Sequence, residues 1–330
     1  MSDFIIKDYS VEYEKRWDAF IEDESINGTF LHSRRFLNYH PIDRFTDASF
    51  IVFDKGGHIV AVCPACSKEE DGKRVFLSHG GSTYGGIVFN KRVYELDKVL
   101  DIINLTEEKL AGEYDKVILK ITPALFSKEP SDLLEYALYY KGYGKYEELN
   151  SYIDFSDYDE NITSNFAQGK RTNINNCLKE GVYYKEIFSD GEINEFYNIL
   201  SVTLEKYGKK PVHTVDELIE FKNQRLKDEC AFYGIYLDKK MIAGSMMFYF
   251  KNVGVAHTQY LCALPEYNKL SPMTFAYYSM IKDSMEKGYK KLSFGISTEN
   301  NGLYINEGLT KSKESFGGKH SVNRIYYKDI

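Results

Sequence analysis

The order of apolar runs and turn signals repeats once along this chain, and that repeat limits the fold more than any single motif. In the first half, "FIIKDY" predicts a strand and "EYEKRWDAFIEDE" a helix, followed by the segment "GTFLHSRRFLNYHP". Strands come next at "SFIVFD", "HIVAVCPA" and "KRVFLSH", with Gly56-Gly57 and Asp71-Gly72 as hairpin turns. A helix over "RVYELDKVLDIINLTEEKLAG", the strand "KVILKI", the helix "SDLLEYALYYK" and the strand "NSYIDF" complete the half. The second half begins with the helix "NFAQGKRTNINNCLKEG", the strand "VYYKEIF" and the helices "EINEFYNILSVTLEKYG" and "TVDELIEFKNQRL". Its meander is "AFYGIYL", "KMIAGSMMFYF" and "VGVAHTQYL", after which come the helix "SPMTFAYYSMIKDSMEKG" and the strand "KKLSFG". A chain of 330 residues is long for one domain. The reading is therefore α+β: two tandem domains, 1–151 and 152–330, each a mostly antiparallel mixed sheet flanked by helices.

Composition narrows the function classes. A formal charge of −7 argues against a broad basic surface for nucleic acid, so no DNA partner is expected. No apolar run reaches bilayer-spanning length, and "MSDFIIKDYS" lacks a basic region followed by an apolar one, which predicts a cytoplasmic protein. The five cysteines are odd in number and scattered, as in a reducing compartment. Cys63 and Cys66 in "CPAC" have redox spacing, but the stretch reads as a strand running into a turn, and no second pair completes a zinc site. No metal is expected. The 28 tyrosines against one tryptophan fit a sugar-binding surface, or compositional drift in a chain also rich in Lys, Asn and Ile.

The punctuation around the last long helix is specific. Ser271 is a candidate N-cap, Pro272 suits the first helical position, and Gly288 closes the helix before the strand at Lys291. Strand, helix and strand make a parallel crossover whose open end meets the positive end of the helix, a place for an anionic group. Beyond it, "FGISTENNGLYINEGLTKSKESFGG" is almost wholly polar or glycine from Ser297 to Glu314, interrupted by Leu303, Ile305 and Leu309. It reads as a shaped loop followed by a short helix. Ser297, Thr298, Glu299, Asn301 and Asn306 offer hydrogen-bonding groups suited to a polyhydroxylated ligand, although any elaborate loop draws on the same residues.

Several antiparallel strands followed by a helix and a strand resemble the GNAT acyltransferase fold. Two such halves resemble the tandem-GNAT transferases: the FemAB-like, Fem-type peptidyltransferases and related acyltransferases of surface-polysaccharide clusters. The resemblance spans nearly the whole chain and is most specific at "HTQYLCALPEYNK", "FGISTENNGLYINEGLTKSKESFGG" and "GKKPVHTVDEL". It implies an N-acyltransferase acting on an amino sugar, free or nucleotide- or lipid-linked, with acetyl-CoA or another acyl-CoA as donor. Its alternatives are Fem-type aminoacyl transfer from tRNA onto a peptidoglycan precursor and a non-catalytic saccharide-binding protein.

Acyl transfer to an amine needs a base, oxyanion donors and a grip on the carrier. Strand alternation puts His257 and Gln259 on one face of "VGVAHTQYL". His257 is a candidate base by its ordinary pKa, and the resemblance places it where GNAT strands splay; a histidine satisfied within the sheet is the plainer alternative. His213 precedes a helix capped by Thr214, and the resemblance adds it to the acceptor site. The family's Phe-Lys-x-x-Phe-Gly is similar to "SKESFGG" and implies Lys313 as a catalytic cation, with Glu314 delivered beside it. The resemblance also implies a phosphate clamp at Arg171 in "KRTNINN" and at His40, where the family usually has lysine, and a sugar-lining loop at Tyr84, Gly85 and Gly86. A GNAT pyrophosphate turn is glycine-rich, whereas "EYNKLSPMTF" has no glycine. Lys269, Ser271 and Pro272 are what remains there for the coenzyme, and Glu299 and Asn306 join the substrate candidates.

Overall fold

The computed structural model describes residues 3–41 and 44–330. The chain forms two compact units, Met1–Glu148 with Val322–Ile330, and Leu149–Ser321. The sequence predicts a boundary after residue 151 with the last residues in the second domain, whereas Val322–Ile330 belong to the first unit.

The first unit opens with β1 (Phe4–Asp8), α1 (Glu14–Ala19) and α2 (Arg34–Leu37). Then follow β2 (Thr46–Asp47), β3 (Phe50–Asp54), β4 (Ile59–Cys63), β5 (Ala65–Glu70), β6 (Lys73–Ser78), β7 (Val88–Phe89), α3 (Leu96–Leu110), β8 (Lys116–Lys120) and α4 (Asp132–Tyr140). One sheet has the order β1-β3-β4-β7 and is antiparallel throughout. In the other, β8-β6-β5-β2, only β6 and β8 are parallel, and α3 lies in the connection between them. The β5–β6 hairpin turns at Asp71-Gly72, both left-handed at φ 51° and 75°, the pair a two-residue turn of this hand requires. Phe50, Phe76, Phe89, Ile102, Ile103 and Val117 are fully buried in the core. Each such side chain contributes roughly 1.5–3 kcal/mol relative to exposure. Cys63 and Cys66 are buried thiols on β4 and β5, and burial pushes both pKa values up, as in inert structural cysteines.

The second unit takes up β9 (Gly144–Asp154) from Leu149 onward, then α5 (Gln168–Lys179), β10 (Tyr183–Ile187), α6 (Asp190–Glu205) and α7 (Val215–Glu220). The meander is β11 (Cys230–Leu237), β12 (Lys240–Phe250) and β13 (Val255–Ala263). Helix α8 (Pro272–Glu286) leads to β14 (Lys291–Ile296), the small β15 (Thr298–Glu299) and β16 (Tyr304–Ile305), and α9 (Glu307–Glu314). The polar segment after β14, which the sequence reads as a shaped loop and a short helix, is a small hairpin followed by that helix. The sheet order is β10-β11-β12-β13-β14-β9, antiparallel except for β13 and β14. Helix α8, in the connection between those two, buries Phe275, Ala276, Met280 and Ile281 in the core.

A strand that the sequence reading missed, β17 (Lys319–Asp329), ends the chain. Its Ile325–Asp329 stretch returns to the first unit and pairs antiparallel with β8. Among the described residues no helix is long and apolar enough to cross a membrane.

Candidate functional site

The second unit contains a fork. Strands β13 and β14 share three residue pairs, Val255 with Lys291 to His257 with Ser293, and then part: β13 continues against β12, and β14 against β9. Both strands change register where they separate. On β13, Met246 faces Tyr260 and Met247 faces Thr258, so Gln259 is the extra residue of a bulge. On β14 the register against β9 shifts between Ser293 and Gly295, and Gly295 is left-handed at φ 73°. A bulge bends its strand, so the two irregularities set the fork at His257. From His257 to Leu261, β13 is half-buried, although it is an interior strand.

His257 donates from or accepts at Nδ1 to Ser293 Oγ, 3.0 Å away. Burial, and then the positive charge of Lys313, hold its pKa down at about 4, so the imidazole is neutral at pH 7. Helix α9 delivers Lys313, which is 2% exposed. Its ammonium donates to Gly295 O at 2.8 Å, Ile296 O at 2.9 Å and Ser297 Oγ at 2.9 Å, which uses all three protons. Burial lowers its pKa to about 8. A neutral base and a buried cation at the parting of two strands are a setting for proton removal from an amine and for stabilising a developing oxyanion.

The other candidates of this unit divide by what already holds them. The His213 Nδ1 lies 2.6 Å from the Tyr260 hydroxyl, one strand position beyond the Gln259 bulge, so His213 reaches the β13 arm of the fork. Glu314 Oε1 meets His320 Nε2 at 3.0 Å. Glu299 pairs with Lys209 at 3.2 Å on the surface. Asn306 caps α9, its side chain accepting from Leu309 N at 3.0 Å. Arg171 donates to Ser164 O at 3.3 Å and Gln168 Oε1 at 2.7 Å within α5 and its approach.

At α8, Pro272 is the first helical residue as expected, but Ser271 departs from its expected part. It stands at the N-cap in a left-handed conformation, φ 58°, without a side-chain cap bond, and its own amide donates to Asn268 O at 3.0 Å. The turn Pro265–Leu270 before it imposes that conformation and consumes the amide expected to face an anion. Lys269 is exposed on that turn.

In the first unit, His40 sits in an aromatic cluster, its ring centroid 4.6 Å from Phe45 and 5.7 Å from His79. Tyr84 is 4% exposed and stacks on Phe126, so its ring is core rather than the wall of an open loop. Gly85 donates its amide to Lys120 O at 2.7 Å, and at Gly86 a Cβ would stand 3.3 Å from the Ile121 Cα. These glycines serve close approach of the chain to itself.

Two residues that sequence reasoning missed, Ser293 and Asn150, lie behind His257: the Ser293 hydroxyl donates to Asn150 Oδ1 at 3.2 Å. They are small polar residues buried within strands, with no motif around them.

Residues 169–301 match the family model described as an acetyltransferase (GNAT) domain, a match that spans the fork. The fold is similar to that of solved structures over nearly all of the chain. The crystal structure of FemX aligns with a TM-score of 0.70 at 11% identity, over 99% of this chain and 97% of that one. L-PGS from Bacillus licheniformis aligns at 0.63 and 14% identity, over 98% and 92%. A tandem GNAT protein from the clavulanic acid biosynthesis pathway aligns at 0.51 and 8% identity, over 99% and 98%. A search of curated protein sequences finds no match. The expected tandem-GNAT, Fem-like fold is therefore borne out, and with it a GNAT acyltransferase domain in the second unit.

Proposed function

We propose that this protein transfers an acyl group from an acyl-CoA thioester to the amine of an amino sugar, free or carried on a nucleotide or lipid, in the cytoplasmic assembly of a surface polysaccharide. The observation that carries the reading is the fork at His257, inside the segment that matches the acetyltransferase model. An acyl thioester laid along the free edge of β13 would present its carbonyl beside His257. The neutral amine attacks that carbonyl, and its proton passes to the imidazole. The tetrahedral intermediate then expels the coenzyme thiolate, which takes the proton as the thiol. The ammonium of Lys313 favours the negative charge on the intermediate, and its charge is present below pH about 8.

A second reading is favoured by one local feature. The turn before α8 has no glycine and its Ser271 amide is already bonded, so the usual backbone cradle for a coenzyme pyrophosphate is missing. That fits an aminoacyl donor carried on tRNA, as in the Fem-type alternative. Calorimetric titration with acetyl-CoA, coenzyme A and a nonhydrolysable aminoacyl-RNA analogue separates the two. Micromolar binding of either coenzyme species, weakened at least tenfold by Lys269→Ala, supports the first; binding of the RNA analogue alone transfers the proposal to the second, and binding of neither removes both.

A further inference from the structure

We infer that Asn150 and Ser293 are positioning residues that fix the tautomer of His257, placing the ring proton on Nδ1 and leaving Nε2 as the basic nitrogen. The inference rests on the proposed function only for its catalytic consequence. The tautomer itself follows from hydrogen-bond directions with the Asn150 carbonyl oxygen turned to Ser293.

Three groups converge on the Ser293 hydroxyl, which is fully buried on β14. Asn150 Oδ1 lies at 3.2 Å, the Gly295 amide nitrogen at 3.3 Å, and His257 Nδ1 at 3.0 Å. The hydroxyl has one proton to give. Gly295 N–H is an obligatory donor, so the oxygen accepts from it. Asn150 presents its carbonyl oxygen to Ser293, and its amide nitrogen donates to Ser321 Oγ at 3.1 Å on the other side. That carbonyl can only accept, and the single serine proton goes to it. The oxygen then has one remaining lone pair for His257, whose Nδ1 must be the donor.

Asn150 is itself 2% exposed, so bulk water does not compete for either end of its amide. Its orientation is what carries the order of donors: a reversed amide would donate to Ser293, send the serine proton to His257 and move the ring proton to Nε2. A base whose lone pair faces Ser293 would be turned away from an incoming amine. The order seen here leaves the lone pair on Nε2, the nitrogen not facing Ser293, and the depressed pKa keeps it unprotonated.

The test has two arms. Nitrogen-15 NMR of uniformly labelled protein, with the His257 signals assigned by their loss in His257→Gln, reads the tautomer directly above pH 6. The expected result is a pyridine-type shift at Nε2 and a pyrrole-type shift at Nδ1. Ser293→Ala and Asn150→Leu should mix the tautomers, while Asn150→Asp, which keeps an acceptor towards Ser293, should preserve the wild-type pattern. A pyridine-type Nδ1 in the wild type, or a pattern unmoved by Ser293→Ala in a folded protein, overturns the inference. In the second arm, Ser293→Ala and Asn150→Leu are expected to lower kcat about 10–100-fold with KM within about twofold, while Asn150→Asp should keep most of the wild-type kcat. Should acyl transfer be undetectable in every variant while the tautomer shifts as stated, the proposed function fails and the positioning stands; unchanged kcat in Ser293→Ala overturns the catalytic consequence alone.

Discussion

Both units part a parallel strand pair after three shared residue pairs, and the chain treats the two partings in opposite ways. In the first unit, β6 and β8 pair from Val75 with Lys116 to Leu77 with Ile118. Beyond that point the gap is filled from within: Ser78 Oγ accepts from Lys120 N at 3.0 Å, Gly85 N donates to Lys120 O at 2.7 Å, and Gly85 bridges to Ile121. In the second unit the corresponding arms pair as strands with their outer neighbours, β12 and β9, the Lys313 ammonium bonds two carbonyls of β14, and five consecutive residues of β13 stay half-buried. The same arrangement is thus packed into the core in one unit and left half-buried in the other, where the proposed function puts the acyl donor. What decides is whether a glycine loop returns to occupy the gap.

That contrast is broken most directly at the second fork. His257→Gln should reduce turnover by about 10²–10⁴-fold with thermal unfolding little changed, because general-base catalysis is worth that much; a coupled assay for released thiol reads it. Equal turnover would make the second fork as inert as the first.

Acid exposes a likeness between the units. Burial holds His32 in the first and His257 in the second at about 4, while both titrate near 6.5 once unfolded. Between those values the unfolded chain binds protons that the folded chain refuses. Stability is fully present above pH 6.5 and is lost as pH falls towards 4, by up to roughly 3 kcal/mol for each imidazole. Urea midpoints measured from pH 7.5 to 4.5 should decline accordingly, with a shallower decline in His32→Gln.

Lys313→Ala removes a buried cation and leaves two carbonyls and a hydroxyl without their donor, an expected cost of roughly 2–4 kcal/mol in urea unfolding. In the intact protein, turnover should fall above pH about 8 as that cation is lost, a limb visible in the kcat profile. The smallest effect belongs to the filled fork. Gly86→Ala puts a side chain on a residue at φ 80°, close to Ile121, and should cost about 1–2 kcal/mol while leaving acetyl-CoA binding unaltered. Lost binding in a folded Gly86→Ala protein would contradict the division of roles.

The sequence made the strands, helices and turns legible where one physical signal dominated. Asp71-Gly72 is a left-handed turn between alternating runs, and Pro272 and Gly288 bracket α8. Strand β17 was missed because "KHSVNRIYYKD" shows no apolar alternation over its first half, where its residues are exposed or half-buried. His257 stood out as a lone titratable group on an apolar strand, but its partners did not. Ser293 and Asn150 are 143 positions apart and meet only through the pairing of β14 with β9. Glycines gave an ambiguous message: "STYGG" has the look of a loop open to a sugar, and close backbone packing at Ile121 demands the same residues.

The return of β17 to the first unit bears on how the protein is made. While the ribosome works through the second unit, β8 has β6 on one side and its other partner still unmade, since Ile325–Asp329 follow the second unit in the chain. An unpaired sheet edge recruits foreign strands, and contacts between distant parts of a chain form slowly. The nascent protein therefore carries an adhesive edge while the second unit is made, and the first unit, though translated before the second, completes its sheet after it.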